Sequence, residues 1–165
     1  MKVFVIADTH FGSEMIMQCV DRPFNSVQEM NQIMIDNWNR VVGKHDLVLH
    51  LGDVCENMTP EELTTIMSQL NGHKLLVKGN HDIWTDNVYR RCGFDYVSAY
   101  PMVYRNFYLL SHEPLLLSTR LPFASLYGHV HNDERYTDTP NSICCCVERL
   151  DYTPKLLMEV SGRLL

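Results

Sequence analysis

Val3-Phe4-Val5-Ile6-Ala7-Asp8-Thr9-His10 is the stretch that decides the fold. An apolar run rich in β-branched and aromatic residues reads as a buried strand over residues 2–7. It ends abruptly in a carboxylate and an imidazole two residues apart. The same pattern returns down the chain. Residues 46–51 form a second apolar run, followed by Gly52-Asp53, and residues 74–78 a third, followed by Gly79-Asn80-His81-Asp82. Residues 107–111 lead to His112, and residues 123–128 lead to Gly128-His129-Val130-His131. Open α/β sheets gather their functional groups where the carboxyl ends of strands meet the loops.

Helical signals alternate with these runs. Residues 26–42 carry Val27, Met30, Ile33, Met34, Trp38, Val41 and Val42 at helical spacing, with Ser26 and Glu29 placed as a capping box and Gly43 as the terminating glycine. Thr59-Pro60-Glu61-Glu62 opens another helix, expected to run to about residue 70. The second half is richer in strands. Residues 95–104 and 107–111 read as a hairpin turning at Arg105-Asn106, Pro114 to Pro122 as a short apolar helix or turn, and residues 142–149 and 155–160 as further strands. The expected fold is α/β, two mixed sheets packed face to face with helices outside, in a single domain over residues 1–165.

Composition narrows the function classes. Of the 165 residues, 45% are hydrophobic and 21% charged, which fits a globular chain rather than a disordered one. No apolar run approaches the roughly 18 residues of a membrane span, and the opening run is too short for a secretion signal, so a cytoplasmic protein is expected. The formal net charge of −6 disfavours nucleic acid as a partner, since that binding depends on Lys and Arg neutralising phosphates. Six cysteines follow neither zinc-motif nor disulfide spacing. The run Cys144-Cys145-Cys146 reads as buried strand residues in a reducing compartment, and Cys55 as packing. His45 is expected exposed ahead of a strand, His73 in a turn after Gly72, and His50 in the core as a hydrogen-bonded residue.

The clusters carry the chemistry. Residues i and i+2 of an extended segment share a face, so Asp8 and His10 can reach one ion. A carboxylate such as Asp53 can bridge two ions, which two-metal sites hold about 3.5–4 Å apart. Asn80 offers a neutral amide oxygen, and His129 and His131 two imidazoles. Taken singly, each has an ordinary structural explanation as a cap, a turn residue or a core histidine. Their common position after strands, in fixed order, is what those explanations leave out. Two divalent ions bring +4 and Asp8 and Asp53 bring −2, so a net charge of about +2 remains to attract phosphate and acidify a bound water. An all-N/O donor set suits Mn²⁺, Fe, Co²⁺ or Zn²⁺, with manganese favoured.

At Asp8-Thr9-His10, Gly52-Asp53, Gly79-Asn80-His81-Asp82, His112 and Gly128-His129-Val130-His131 the chain resembles the calcineurin-like metallophosphoesterase superfamily. The resemblance spans residues 2–160 and implies a four-layer α/β/β/α sandwich with a dinuclear centre at the sheet edges. It implies one metal on Asp8, His10, Asp53 and His131, a second on Asp53, Asn80, His112 and His129, and a bridging hydroxide that attacks phosphorus in line. It further implies His81 as general acid, with Asp82 as its orienting charge partner. Arg22-Pro23-Phe24, Met30-Asn31 and Asn37-Trp38-Asn39 resemble short bacterial and phage members, many of which carry a second histidine where this chain has Ser13. Arg22, alongside Asn80, is a candidate contact for substrate phosphate, or else a hinge arginine ahead of a proline turn. The expected activity is metal-dependent hydrolysis of a small phosphate mono- or diester. A nuclease on the same scaffold and a non-catalytic metal-binding scaffold are the alternatives. Nothing in the sequence sets an oligomeric state.

Overall fold

The computed structural model describes residues 1–117 and 122–162. In chain order the elements are β1 (Val3–Ile6), α1 (Glu14–Cys19), α2 (Val27–Val41), β2 (Leu47–His50), α3 (Pro60–Met67), β3 (His73–Val77), α4 (Asp86–Cys92) and β4 (Tyr96–Ser98). They continue with β5 (Met102–Tyr104), β6 (Tyr108–Leu110), β7 (Ala124–Tyr127), β8 (Ser142–Cys144), a 3₁₀ turn (Val147–Arg149), β9 (Lys155–Leu156) and α5 (Leu157–Ser161).

Two mixed sheets result. The first has the order β4-β3-β2-β1-β9, with β1 to β4 parallel and β9 antiparallel to β1. The second has the order β5-β6-β7-β8, where β5 and β6 form an antiparallel hairpin and β7 and β8 add in parallel. This is the expected α/β sandwich of two sheets with helices. The alternating side chains of β1 explain the layering. Phe4 and Ile6 face a core shared with Met30, Met34 and Trp38 of α2, Leu63 and Ile66 of α3, and Tyr89 of α4. Val3, Val5 and Ala7 face the opposite way, into a core shared with Leu110, Leu126 and Ile143 of the second sheet. With both faces covered, the parallel strands read as unbroken apolar runs rather than as alternation.

The local signals held with specific departures. Thr59 and Glu62 form a complete capping box, but α3 ends at Met67 rather than near residue 70. Ser26 caps α2 by accepting the Glu29 N–H at 3.1 Å, while the Glu29 carboxylate turns to the Asn25 N–H at 2.6 Å. Gly43 directly follows the C-cap residue Val42, the place expected for it, but without the left-handed backbone of a terminating glycine. It opens a turn in which its N–H donates to Asp46 Oδ2 at 3.0 Å. The hairpin at Arg105-Asn106 forms, with both residues left-handed (φ 52° and 54°) and the Phe107 N–H donating to Tyr104 O at 3.2 Å, and residues 105–107 separate the paired Tyr104 and Tyr108. The strand expected upstream of it splits, because β4 joins the first sheet and β5 the second. Residues 157–161 are helical, not extended. The apolar periodicity of Leu156, Leu157 and Val160 is shared by both structures, and docking against β1 resolves it. The helices α1 and α4 were not anticipated. Pro114 to Leu117 are without regular structure, and the rest of that expected segment lies largely outside the described residues. Among the described residues no helix is long and apolar enough to cross a membrane.

Cys144 and Cys146 lie on one side of the chain and Cys145 on the other, in the core between the sheets. All three are buried free thiols. A parallel bridge from Ala7 to Cys146 ties the two sheets together at the end where β1 finishes.

Candidate metal centre

Five parallel strands, β1, β2, β3, β6 and β7, deliver polar loops to this junction. The loops are laced to one another through the backbone. The N–H of Asp8 donates to Gly52 O at 2.9 Å, that of His10 to Asp53 O at 3.0 Å, and that of Gly128 to His112 O at 2.8 Å. Asp8, His10, Asp53, His129 and His131 all take the left-handed region, with φ between 45° and 70°. Non-glycine residues adopt it at a cost of order 1–3 kcal/mol each, and such strain collects at functional sites. The expectation that residue pairs two apart reach one ion by strand alternation is therefore corrected. Tight left-handed turns aim them. Glycines make room at two of the closest approaches. A Cβ on Gly128 would overlap the Asp8 carboxylate, and one on Gly79 the Asp53 carboxylate.

All seven candidate ligands converge. His10 Nε2 lies 3.9 Å from Asp8 Oδ1 and 3.5 Å from Asp53 Oδ2, and His131 Nε2 lies 3.7 Å from Asp8 Oδ1. On the other side His112 Nε2 lies 3.3 Å from the same Asp53 Oδ2, 2.9 Å from Asn80 Oδ1 and 3.1 Å from His129 Nδ1. His129 Nδ1 is 3.0 Å from Asn80 Oδ1. The single oxygen Asp53 Oδ2 thus joins two groups of donors.

The donor chemistry fits cations. His112 Nδ1 lies 2.8 Å from the Leu51 carbonyl, which can only accept, so Nδ1 carries the hydrogen. In the neutral ring Nε2 then aims a lone pair at two oxygens and another imidazole nitrogen. Acceptors converge on acceptors, and a cation between them removes the conflict. His131 repeats the arrangement, with Nδ1 3.1 Å from Glu148 Oε1 and Nε2 left for the site. Metal-binding histidines are commonly oriented in this way. Among the described residues, both ring nitrogens of His10 are buried without a hydrogen-bond partner, an expensive state for a group with no ligand.

Electrostatics agree. Burial lifts Asp8 to about 6, against the pull of His112 and His131. Burial drives His10 down to about 3, so its ring is neutral and free to ligate. Burial opposes ionisation of Asp53, but the hydrogen bond and charge of His112 bring it to about 2. Burial likewise opposes the charge on His112, yet Asp53 and Asp8 raise it to about 9. Without a metal, that proton is the positive charge the cluster demands.

Two expected roles change. Arg22 is buried, with its guanidinium turned to the chain's own loops. Its Nη2 donates to Asp8 O at 2.7 Å, Nη1 to Thr9 O at 2.9 Å, and Nε to Glu148 Oε1 at 2.9 Å. The guanidinium is consumed in bracing the Asp8-Thr9-His10 loop and in holding the carboxylate that orients His131. Asp82 does not pair with His81. Its Oδ2 accepts the N–H groups of Asp53 and Gly79, both at 2.8 Å, and its Oδ1 that of Val54 at 3.1 Å. It holds the loop that presents Asp53. The partner of the His81 ring is Glu56, whose Oε1 meets His81 Nδ1. The other oxygen of Glu56 accepts from Ser13 Oγ and lies 3.7 Å from His10 Nδ1. Ser13 also caps α1, accepting the Ile16 N–H at 3.2 Å. Glu56, Glu148 and Cys146, whose thiol lies 3.3 Å from Asp8 Oδ2, were missed in the sequence. Only Glu56 carried a signal, three residues past Asp53. His50 is in the core with Nε2 3.0 Å from Thr9 Oγ1 and His45 is exposed, both as expected, whereas His73 opens β3 rather than lying in the turn, because it pairs with Leu47 of β2. Cys55 is buried among apolar neighbours.

Comparison with known proteins gives the same frame. An uncharacterized protein of Methanocaldococcus jannaschii is 39% identical over 82 residues, covering 49% of this chain and 47% of that protein. The gene 66 protein of Mycobacterium phage L5 is 30% identical over 102 residues, covering 61% of this chain and 48% of that protein. The matches thus span about half the length of each of these relatives. A protein of unknown function from Aquifex aeolicus superposes with a TM-score of 0.73 at 26% identity, covering 98% of both chains. A nuclease from Pseudomonas putida has a TM-score of 0.55 at 22% identity, covering 78% of this chain and 61% of its own, and shares the fold. The sequence profile of the calcineurin-like phosphoesterases matches residues 1–151. The chain belongs to the calcineurin-like phosphoesterase family.

Proposed function

We propose that the protein is a metal-dependent phosphoesterase that hydrolyses a phosphate mono- or diester at a dinuclear centre. Asp8, His10, Asp53 and His131 would hold one ion and Asp53, Asn80, His112 and His129 the other. Manganese suits this N/O donor set, and the bound ions would supply Lewis acidity and an activated water. The observation that carries the reading is the convergence of acceptor atoms on Asp53 Oδ2, 3.5 Å from His10 Nε2 and 3.3 Å from His112 Nε2.

The chain's own residues do the rest. His81 stands beside this cluster, its ring 5.1 Å from that of His10 and its side chain 43% exposed. It is the group placed to donate a proton to a departing oxygen. Glu56 fixes the ring through Nδ1, which leaves Nε2 for substrate. The Asn80 amide borders both a metal position and the open side, where it can also contact a phosphate oxygen. Residues 1–165 act as one domain in this reading, and six free thiols suit a cytoplasmic location.

The test is hydrolysis of bis-p-nitrophenyl phosphate and p-nitrophenyl phosphate by metal-stripped protein with added Mn²⁺, alongside His81→Ala. Turnover that requires metal and is lost in the variant, with metal content kept, supports the assignment. Loss of metal in His81→Ala contradicts the separation of ligands from acid. Absence of turnover with any divalent metal contradicts the phosphoesterase reading.

A further inference from the structure

Beside His81 lies a cavity of about 550 Å³, a size ordinary for a small-molecule pocket. Two loops build it, residues 55–59 after β2 and residues 80–84 after β3, with Tyr89 of α4. These are continuations of the segments that carry Asp53 and Asn80. Asn80 and His81 line the cavity, so it opens directly onto the candidate metal centre.

Its walls have a distinct chemistry. Ile83, two residues past His81, is 83% exposed, which leaves a large aliphatic side chain unpacked at the rim. The half-buried Trp84 lies with its ring 5.4 Å from that of Tyr89, tilted by 38°. Met58 contributes a thioether. Among the described residues no lysine or arginine lines the cavity, and the one carboxylate they bring to it, Glu56, is held by Ser13 and His81. Lys78, at the end of β3, is spent elsewhere. Its Nζ donates to the Trp84 carbonyl at 2.6 Å and sits 3.8 Å from Asp86. A second phosphate or an acidic peptide would find no lysine or arginine among the described residues of its lining. A flat, uncharged ring would find an indole, an aliphatic rim and a thioether.

We infer that this cavity receives the leaving group of the substrate, and that this group is an aromatic alcohol of the phenol class. The inference rests on the phosphoesterase reading and adds the substrate class to it. In the balanced step water adds to phosphorus and releases one proton, the P–O bond to the leaving group breaks, and the departing oxygen takes a proton from His81, which the proton released by water restores. The aromatic body then remains against Trp84 and Ile83.

Kinetics with bis-p-nitrophenyl phosphate test this. Trp84→Ala raises KM about tenfold, the scale of a lost aromatic contact and its buried area, with kcat within about threefold. The exposed Ile83→Ala, which leaves the core untouched, raises KM about threefold. The inhibition constant of inorganic phosphate, which engages only the metal side, stays unchanged in both. An unchanged KM in both variants, or phosphate inhibition weakening in parallel with KM, overturns the assignment. A second readout is independent of turnover. p-Nitrophenol should quench tryptophan fluorescence of the metal-free protein saturably, with the quenching lost in Trp84→Phe. Absence of saturable quenching overturns the pocket even in an active enzyme. Saturable quenching in a protein without turnover leaves the pocket standing and overturns the phosphoesterase reading instead.

Discussion

Replacing Arg22 separates a bracing role from a substrate-binding one. The guanidinium is fully covered and forms an ion pair with Glu148 at 2.7 Å, besides its bonds to the carbonyls of Asp8 and Thr9. Arg22→Met fits the space but removes every one of these donors. Glu148 would then keep only His131, with its Oε2 already unpartnered. Breaking a buried ion pair from one side costs about 3–5 kcal/mol. Each lost bond from a charged donor is worth about 1.5–3 kcal/mol, but within one network these figures overlap and do not add. A loss of about 4 kcal/mol is the consistent estimate, a large part of a typical total of roughly 5–15 kcal/mol. Arg22→Lys keeps the charge but not the fork, and should lose about 2 kcal/mol. Urea denaturation of the metal-free proteins measures both. Because Glu148 also orients His131, Mn²⁺ affinity should fall about ten- to a hundredfold. If Arg22→Lys matches the parent in stability and metal affinity and only KM rises, the arginine contacts phosphate and the reasoning is refuted.

Three further outcomes are expected. Glu56→Gln keeps the bulk beside His81 and Ser13 but removes the charge, so kcat should fall about tenfold or more with metal content and KM held; an equal loss of bound metal would show that Glu56 serves the ions instead. His50 is held at about 3 by burial, although Asp53 pulls upward. Below its unfolded value of about 6.5 the unfolded ring takes a proton that the folded ring refuses, so stability falls with falling pH by about 1.4 kcal/mol per unit, roughly 2 kcal/mol by pH 5. His50→Gln should remove that part of the slope between pH 7 and pH 5 in urea titrations; an identical slope contradicts the burial argument. Gly128→Ala drives a methyl into the Asp8 carboxylate, and equilibrium dialysis should show weaker metal binding together with a stability loss of about 1–3 kcal/mol; unaltered binding would mean that the Asp8 position is not what the glycine protects.

Much of the fold was legible because the parallel strands are covered on both faces, and such strands are unbroken apolar runs ending at polar loops. Val3–Ile6 and Leu47–Leu49 read this way, and β3 does so over Leu75–Val77, after the polar His73 and Lys74. Residues 157–161 did not, because Leu157 and Val160 satisfy strand and helix alike until docking against β1 decides. The candidate ligands were legible as residue types at strand ends, but the geometry behind them was not. Left-handed turns at Asp8, His10, Asp53, His129 and His131 leave no periodicity in a sequence. The supporting groups were hardest to see. Arg22 and Glu148 are 126 residues apart and meet only through the fold. Asp82 follows His81 in sequence, yet its carboxylate turns back to the Asp53 loop, and the partner of His81 comes from Glu56.

The central claim is that two cations share Asp53. Anomalous diffraction from crystals soaked in Mn²⁺ tests it most directly. Two peaks about 3.5–4 Å apart are expected, one among Asp8, His10, Asp53 and His131, the other among Asp53, Asn80, His112 and His129. A single peak, or a pair lying away from Asp53, would contradict it.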